Sequence, residues 1–437
     1  PAPGLAARTE RLLADAGLAV ARDESRGLDH GAYVPLVEMF PDADVPVIQL
    51  SLPTLDPRTL FAIGQRLGVP DVRAAATVTG LFLSTTSDHA VVFEPVGGTL
   101  RFEQMSLVQD VIDRLLAGRL TPAEAVPELA AIEALPPSRP DWVNDLAIVP
   151  IAVGICAILQ PTWRDLGAAA LGSLAVVALV IIGRRSPLVA TLLPLAAAFA
   201  VTSIVLQFAM WWPLEGTMRT VVSTIAVLLP GAMIVTGMSE IASGAAVSGT
   251  SRLVSGTVQL LLFAVGMFAA VAVRGDALGV LTNVRANDLG PGAPFGGIAV
   301  LGAGMVINVA AHWRDVPWIL GVLFLTFVVQ FAGQWLWGVQ LGVFAGAIVA
   351  GLSASVVHRL SGRPLRLVVY LPAFWLLVPG SLGLLSTVQL AAGEGDLSSV
   401  TATTAAMVSI VVGTLVGSAA GRALERHLGP PRHSLTP

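Results

Sequence analysis

Ten apolar stretches separated by short, arginine-bearing breaks fill the sequence from about Leu146 to Leu424, and they constrain the chain more than any other feature. A helix rises about 1.5 Å per residue, so an apolar run of about 20 crosses the hydrocarbon core of a bilayer. The stretches are Leu146 to Gln160, Leu166 to Gly183, Leu188 to Trp212, Thr220 to Ile241, Leu253 to Val273, Phe295 to Ala311, Pro317 to Gln334, Val339 to Val357, Leu365 to Leu390 and Thr401 to Leu424, of which the first and sixth are short. At 54% hydrophobic and 12% charged over 437 residues, the chain is too apolar for water to be its main solvent. Residues 1–145 nevertheless read as an ordinary soluble sequence. The expected fold is a polytopic α-helical membrane protein of about ten transmembrane helices, preceded by a small α+β cytoplasmic domain.

Arginine placement sets the expected orientation, because cytoplasmic loops retain positive charge. With the soluble part inside, the cytoplasmic breaks hold Arg184, Arg185, Arg252, Arg314, Arg359, Arg363, Arg366, Arg422, Arg426 and Arg432; the other side holds Arg164, Arg219, Arg274 and Arg285. This asymmetry agrees with an even span count and cytoplasmic termini. Trp211, Trp212, Trp335 and Trp337 fall at outer helix ends, where an interfacial aromatic belt belongs.

An internal repeat crosses this pattern. Pro230 to Gly244 reads PGAMIVTGMSEIASG and Pro379 to Gly393 reads PGSLGLLSTVQLAAG, two copies of one frame 149 residues apart. One copy lies in the fourth span and one in the ninth, so each unit holds five spans and the odd number inverts the second. Inverted repeats with Pro/Gly-broken helices in matched positions point to a secondary transporter with its site near the midplane. Proline removes a backbone donor and glycine relaxes the dihedral restraint, so each pair can present main-chain groups to a substrate. The candidate substrate-binding residues are therefore Pro230, Gly231, Thr236, Pro379, Gly380 and Ser386. The alternative is a proline kink that serves helix packing alone.

Glu240 is the one acidic residue inside a predicted span, and intramembrane carboxylates tend to serve ion or proton paths. It is the candidate for proton coupling. It can equally be a helix-end carboxylate paired with Arg252, which with Gly244 and Gly249 completes a structural group around the repeat. Gln389 holds the matching place in the second copy and cannot titrate. Ser223, Thr224, Ser239, Gln207, Asn308 and Gln330 are polar residues within spans that could line a path or bond between helices.

In the soluble part, Val47 to Leu52, Ala74 to Ser84, Val91 to Phe93 and Leu100 to Glu103 read as strands, and Ser106 to Ala117 and Thr121 to Leu135 as amphipathic helices, the second opened by a Thr121/Glu124 capping arrangement. Pro136, Pro137 and Pro140 make a stiff link to the first span. Cys156 is the single cysteine, which leaves no disulfide within the chain and no thiolate metal site. Absence of lysine and a net charge of -4 argue against a nucleic-acid surface. Pro1 to Glu10 lacks a basic n-region followed by an apolar stretch, so no signal peptide is expected there, and neither a phosphate loop nor a dinucleotide fingerprint or nucleophile elbow is found. The expectation is no catalytic residue, no metal and no cofactor.

The segments LAGRLTPAEAVPELAAIEALPPSRPDWVND (Leu116 to Asp145), LLPGAMIVTGMSEIASGAAVSGTSRL (Leu228 to Leu253) and LLVPGSLGL (Leu376 to Leu384) resemble the threonine/serine exporter family, ThrE-like, over about residues 69–424. The resemblance implies export of threonine and serine across the bacterial cytoplasmic (inner) membrane, driven by the proton motive force, and matches the family at Pro230, Gly231, Glu240, Gly244, Gly249, Arg252, Pro379 and Gly380. Residues Gly27 to Gly68, by contrast, resemble the middle of a DOPA-type extradiol ring-opening dioxygenase. Such enzymes hold a metal through histidines on both sides of this stretch, whereas only His30 and His89 occur in the soluble part, a poor catalytic metal site.

The expected division is a non-catalytic dioxygenase-like fragment over 1–68, an exporter-type α+β domain over 69–140, five-span repeats over 146–273 and 295–424, and a cytoplasmic tail over 425–437. Expected partners are a small amino acid such as threonine or serine, protons and the lipid bilayer, with a homo-oligomer left open. A membrane-anchored enzyme related to the dioxygenases and a passive small-solute channel are the competing readings.

Overall fold

The computed structural model describes residues 72–76, 80–85, 91–95, 101–137, 139–242, 244–276, 278–361, 366–377, 383–384, 386, 388 and 397–428. The chain divides into two compact units, one of residues 1–136 with 244–248, the other of 137–243 with 249–437.

In the first unit, strands β1 (Val72–Ala76), β2 (Gly80–Thr85) and β3 (Val91–Pro95) form an antiparallel sheet in the order β1-β2-β3. Val72 pairs with Thr85 and Gly80 with Pro95. The single strand expected over Ala74 to Ser84 is thus two, paired as a hairpin. Of the strand expected at Leu100 to Glu103, Phe102 and Glu103 instead begin helix α1 (Phe102–Leu116), and Leu100 lies outside the described residues. Gln104 decides this: its Oε1 accepts from the Arg101 amide at 3.0 Å, while its buried amide group donates to the Ile132 and Glu133 carbonyls at 3.0 and 3.3 Å. Helix α2 (Pro122–Glu133) follows a turn at Gly118, whose φ of 70° suits glycine. Thr121 and Glu124 form the capping box reciprocally, and Val111, Ala125 and Ile132 make the core between α1 and α2. The strand expected at Val47 to Leu52 and both His30 and His89 lie outside the described residues.

The second unit is helical. In chain order it contains α3 (Asp141–Leu146), α4 (Ile148–Leu159), α5 (Trp163–Gly183), α6 (Pro187–Trp211), α7 (Thr217–Ile225), α8 (Gly231–Ala242), α9 (Ala246–Arg274), α10 (Ala293–Asn308), α11 (Val316–Trp337), α12 (Val339–Ser361), α13 (Arg366–Leu377) and α14 (Leu397–Leu428). Among the described residues, seven helical segments are long and apolar enough to cross a membrane, an eighth being the bent pair Thr217–Leu228 and Gly231–Ala242. The expected sixth and ninth spans correspond to the shorter α10 and α13, the latter running into residues outside the described set. The first span begins at Asp141, five residues before the expected start at Leu146. A charged helix end is tolerated there because Asp145 pairs with Arg184 at the C-terminal end of α5, Nη1 to Oδ2 at 2.7 Å.

Glycines set how closely the helices cross, as expected where apolar solvent gives no separate drive for association. A Cβ built on Gly154 of α4 would lie 2.5 Å from the Leu301 amide nitrogen of α10. Gly266 of α9 stands in the same relation to the Leu195 carbonyl of α6 at 2.4 Å, and Gly413 of α14 to the Phe344 carbonyl of α12 at 2.6 Å. Around these crossings α4 packs on α5 and α10, α5 on α6, and α7 against α4, α5 and α6; α11 packs on α10 and α12, α13 against α11 and α12, and α12 along α14. Ile151, Ile298, Leu301, Met305, Leu323 and Phe327 form the core where α4, α10 and α11 meet.

Gly154→Ala is expected to destabilise the chain by about 1–3 kcal/mol through overpacking against α10. Gly321→Ala in α11, where an added Cβ meets nothing within 4 Å, should be neutral or stabilising by about 0.5–1 kcal/mol; thermal unfolding in detergent compares the two. In the first unit the Thr121 backbone amide and hydroxyl hold the Glu124 carboxyl below its ordinary range. The capping contribution is therefore full above that range and is lost as pH falls through the lowered value. Hydrogen exchange of the α2 amides, corrected for intrinsic rates, should show this acid loss in the native chain and not in Thr121→Ala.

Candidate functional site

The expected fourth span is broken. Its first half ends in a 3-10 turn, Ala226–Leu228, closed by the Leu229 amide on the Ala226 carbonyl at 3.2 Å. Pro230 has no amide hydrogen with which to continue the ladder. The second half, α8, makes its first bond from the Ile234 amide to the Pro230 carbonyl at 3.0 Å, and the halves meet at 62°. The amides of Gly231, Ala232 and Met233 precede that first bond and form the positive end of the α8 dipole.

A cavity of about 180 Å³ adjoins the break. Ala226, Val227, Leu229 and Ala232 of the break line it, with Ile151, Ile155 and Ile158 of α4, Leu301 and Met305 of α10, and Trp375 and Leu376 of α13. Apart from the Trp375 indole, no lining side chain carries a polar group. Besides that indole N–H, hydrogen bonding inside the cavity falls to main-chain groups of the lining residues. Such a recess has room for a small aliphatic side chain and can present backbone groups to a charged or polar end.

Glu240 stands nine residues beyond Gly231, near the end of α8, and Arg252 of α9 donates its Nε to both carboxylate oxygens at 3.0 and 3.2 Å. Both side chains are partly exposed. Two glycines bring these helices together: a Cβ on Gly249 would lie 2.5 Å from the Gly237 carbonyl, and one on Gly237 2.7 Å from the Gly249 carbonyl. Gly244 has φ 92° with open space around it, so its requirement is conformational. Thr236 is half-buried on α8.

In the second copy of the repeat, Pro379, Gly380 and Gln389 lie outside the described residues. Ser386 is buried and shares a hydrogen bond of 2.9 Å with Thr403 of α14. Most other polar residues in the spans have local partners. Ser223 and Thr224 donate to the Thr220 carbonyl at 2.9 and 2.7 Å, Gln207 accepts from Arg274 at 3.2 Å, and Asn308 donates to the Asn144 carbonyl at 2.9 Å. The Gln330 side-chain oxygen and the Thr202 and Thr326 hydroxyls are buried without a hydrogen-bond partner.

Glu240 is not the only carboxylate inside a span. Besides Asp145, Asp165 in the first turn of α5 is 1% exposed. The Thr162 hydroxyl donates to its Oδ2 at 2.6 Å and the Thr220 hydroxyl of α7 donates to its Oδ1. The sequence expectation missed Asp165 because the second span was started one residue later, at Leu166. A signal was present: Trp163-Arg164-Asp165 recurs as Trp313-Arg314-Asp315, 150 residues on. In both copies the tryptophan is exposed and the aspartate buried, Asp315 at 2%.

Residues 57–274 match the family described as "Putative threonine/serine exporter" (ThrE). The match takes in the broken helix, Glu240, Gly244, Gly249 and Arg252, and ends before the second set of helices. It starts within the stretch assigned from sequence to the dioxygenase-like fragment. The N-terminal region is also similar to extradiol dioxygenases. It is 51% identical over 67 residues to the 4,5-DOPA dioxygenase extradiol of Beta vulgaris, covering 15% of this chain and 25% of that protein. The corresponding protein of Portulaca grandiflora is 49% identical over 72 residues, covering 15% and 27%. Dioxygenase tasH of Hapsidospora irregularis is 39% identical over 125 residues, covering 26% and 39%. The chain thus spans about a quarter to two-fifths of these curated relatives. No solved structure matches it.

The Glu240–Arg252 contact, partly screened by its exposure, is expected to couple the two residues by about 0.2–1 kcal/mol. A double-mutant cycle of Glu240→Gln and Arg252→Gln in thermal unfolding measures it; additive single effects would show that the pair contributes nothing.

Proposed function

We propose that this chain, whose residues 57–274 match the threonine/serine exporter family, is a multi-pass membrane transporter that exports threonine, serine or similar small amino acids in exchange for protons. The observation that carries this reading is the family match, with the broken helix of residues 217–242 lying inside it. A zwitterion placed against the break would set its carboxylate toward the Gly231, Ala232 and Met233 amides and its ammonium toward carbonyls freed by Pro230. The adjoining cavity would take the short side chain. Pro230, Gly231 and Thr236 are the proposed contacts from the first half, and Pro379, Gly380 and Ser386 from the second.

Two inverted five-helix units, exchanging access to one side and then the other, are the proposed framework. Several matched contacts support it. The broken helix α7 packs on α5 and α6 as α13 packs on α11 and α12. Gly266 closes on the Leu195 carbonyl as Gly413 closes on the Phe344 carbonyl, and 195 and 344 differ by the same 149 residues as the two Pro-Gly pairs. Helix α8 packs on α14, and in return Gly383 stands against Leu260 of α9. Arginine placement supports a bacterial cytoplasmic membrane orientation with both termini inside. Glu240 is proposed as the proton-coupling group: protonation would cancel its charge, release Arg252 and loosen α8 from α9.

The N-terminal similarity favours one rival, a membrane-anchored enzyme related to the extradiol dioxygenases. Metal analysis and ring-cleavage assays on the full chain would expose it, whereas an exporter shows neither bound metal nor ring cleavage.

Labelled threonine and serine should leave cells or proteoliposomes carrying the chain faster than controls, and a protonophore should stop the uphill component. Flux indifferent to the pH gradient would mean a passive channel. Gly231→Leu should abolish efflux, and Glu240→Gln should uncouple it from the gradient while the protein still inserts. Normal coupled efflux from both variants would remove the break and Glu240 from the mechanism.

A further inference from the structure

Asp165 raises a question that the export reading leaves unanswered. Its carboxylate is buried at the first turn of a membrane-spanning helix, and among the described residues no basic side chain pairs with it. An uncompensated charge in such a place is costly, so a carboxylate kept there is a candidate to take up a proton. Helix capping by itself does not account for it. Thr162 already supplies the cap, accepting from the Asp165 amide at 3.1 Å, and the carboxylate reaches across to a second helix.

The reach across is to Thr220, and its surroundings suit both protonation states. The Thr220 hydroxyl has two acceptors in range: Asp165 Oδ1, and the Gly216 carbonyl at 3.2 Å. With Asp165 ionised, Thr220 donates to Oδ1. When a proton binds Oδ1, the new O–H donates to the Thr220 oxygen and the Thr220 hydroxyl turns to the Gly216 carbonyl. Release of the proton reverses both bonds. No heavy atom needs to move, and neither state leaves an unpartnered group. Gly216 is held for this role, since a Cβ there would lie 2.4 Å from the Val284 carbonyl and 2.7 Å from Gln160 Nε2.

The groups facing Asp165 are few. Cys156 comes from α4 and Gln160 from the residue that ends it, Thr220 from α7, and Asp288 from the segment before α10; Arg219 of α7 and Arg285 stand near each other, bonded to the Asn283 and Ile158 carbonyls. Helix α6 carries no titratable residue, and Asp141 and Asp145 of α3 meet Arg184 at the opposite end of α5. Asp315, buried at the start of α11 in the second Trp-Arg-Asp copy, puts a carboxylate at the same place in the other half.

We infer that Asp165 is a proton-binding site of this protein, distinct from Glu240, and that Thr220 relays its protonation state to the first half of the broken helix. In the orientation proposed above it lies at the outer end of its span, where protons enter during antiport.

The test uses the full chain in proteoliposomes without substrate, so that it stands whether or not threonine is exported. Infrared difference spectra between acid and alkaline pH should contain a protonated-carboxyl band that Asp165→Asn loses and Glu240→Gln keeps. Thr220→Val should shift the pH at which that band titrates, and Thr220→Ser should restore it. A band unchanged in Asp165→Asn would overturn the inference. A less stable Asp165→Asn protein with an unaltered spectrum would mean that the residue only caps α5. Should Asp165→Asn fail to fold, the Thr220 pair decides: equal titration in Thr220→Val and the parent chain rejects the relay.

Discussion

A backbone broken within an apolar medium must find its hydrogen-bond partners inside the protein, because lipid offers none. Pro230 imposes that condition on this chain. It ends the α7 ladder with a 3-10 turn, starts a new helix at 62° to the old one, and leaves three leading amides without partners in their own helix. The surrounding helices shelter the break. α4, α10 and α13 close over it, and they can do so because glycines such as Gly154 and Gly304 bring α4 and α10 nearly into main-chain contact. The cavity beside the break is what remains of that enclosure, and its apolar walls follow from a region built to pack rather than to hydrate.

Buried charge in the same unit is handled in two ways. Asp145 and Glu240 meet arginines, Arg184 and Arg252, at helix ends where part of each pair touches the surface. Asp165 meets hydroxyls instead. Hydroxyl partners orient a carboxylate without neutralising it. The Thr220 contact also joins α5 to the half-helix that ends at the break.

The apolar helices, the Pro-Gly break at Pro230 and the Glu240–Arg252 pairing were legible in sequence, because each rests on a local property: hydropathy over a window, a missing amide hydrogen, or opposite charges near a helix end. Asp165 was hidden by a boundary. A window that begins at the first long apolar run excludes a polar first turn, and only the packing of α7 on α5 reveals that the turn is buried. The doubled Trp-Arg-Asp was visible, but without the fold nothing marked its aspartates as buried and its tryptophans as exposed. The strand expected near Leu100 failed for a related reason: Gln104 draws its partners from Ile132 and Glu133, contacts that a short window cannot contain.

By itself, the sequence determined that this chain lives largely in a membrane, that two Pro-Gly frames lie 149 residues apart, and that its charges gather at the breaks, since composition and spacing are properties of the chain alone. Tertiary structure decided which carboxylates are paired and which is buried among hydroxyls, how sharply the fourth span bends, and where space remains beside it. Those outcomes depend on helices distant in sequence approaching to within a glycine's width, and no local pattern encodes that distance.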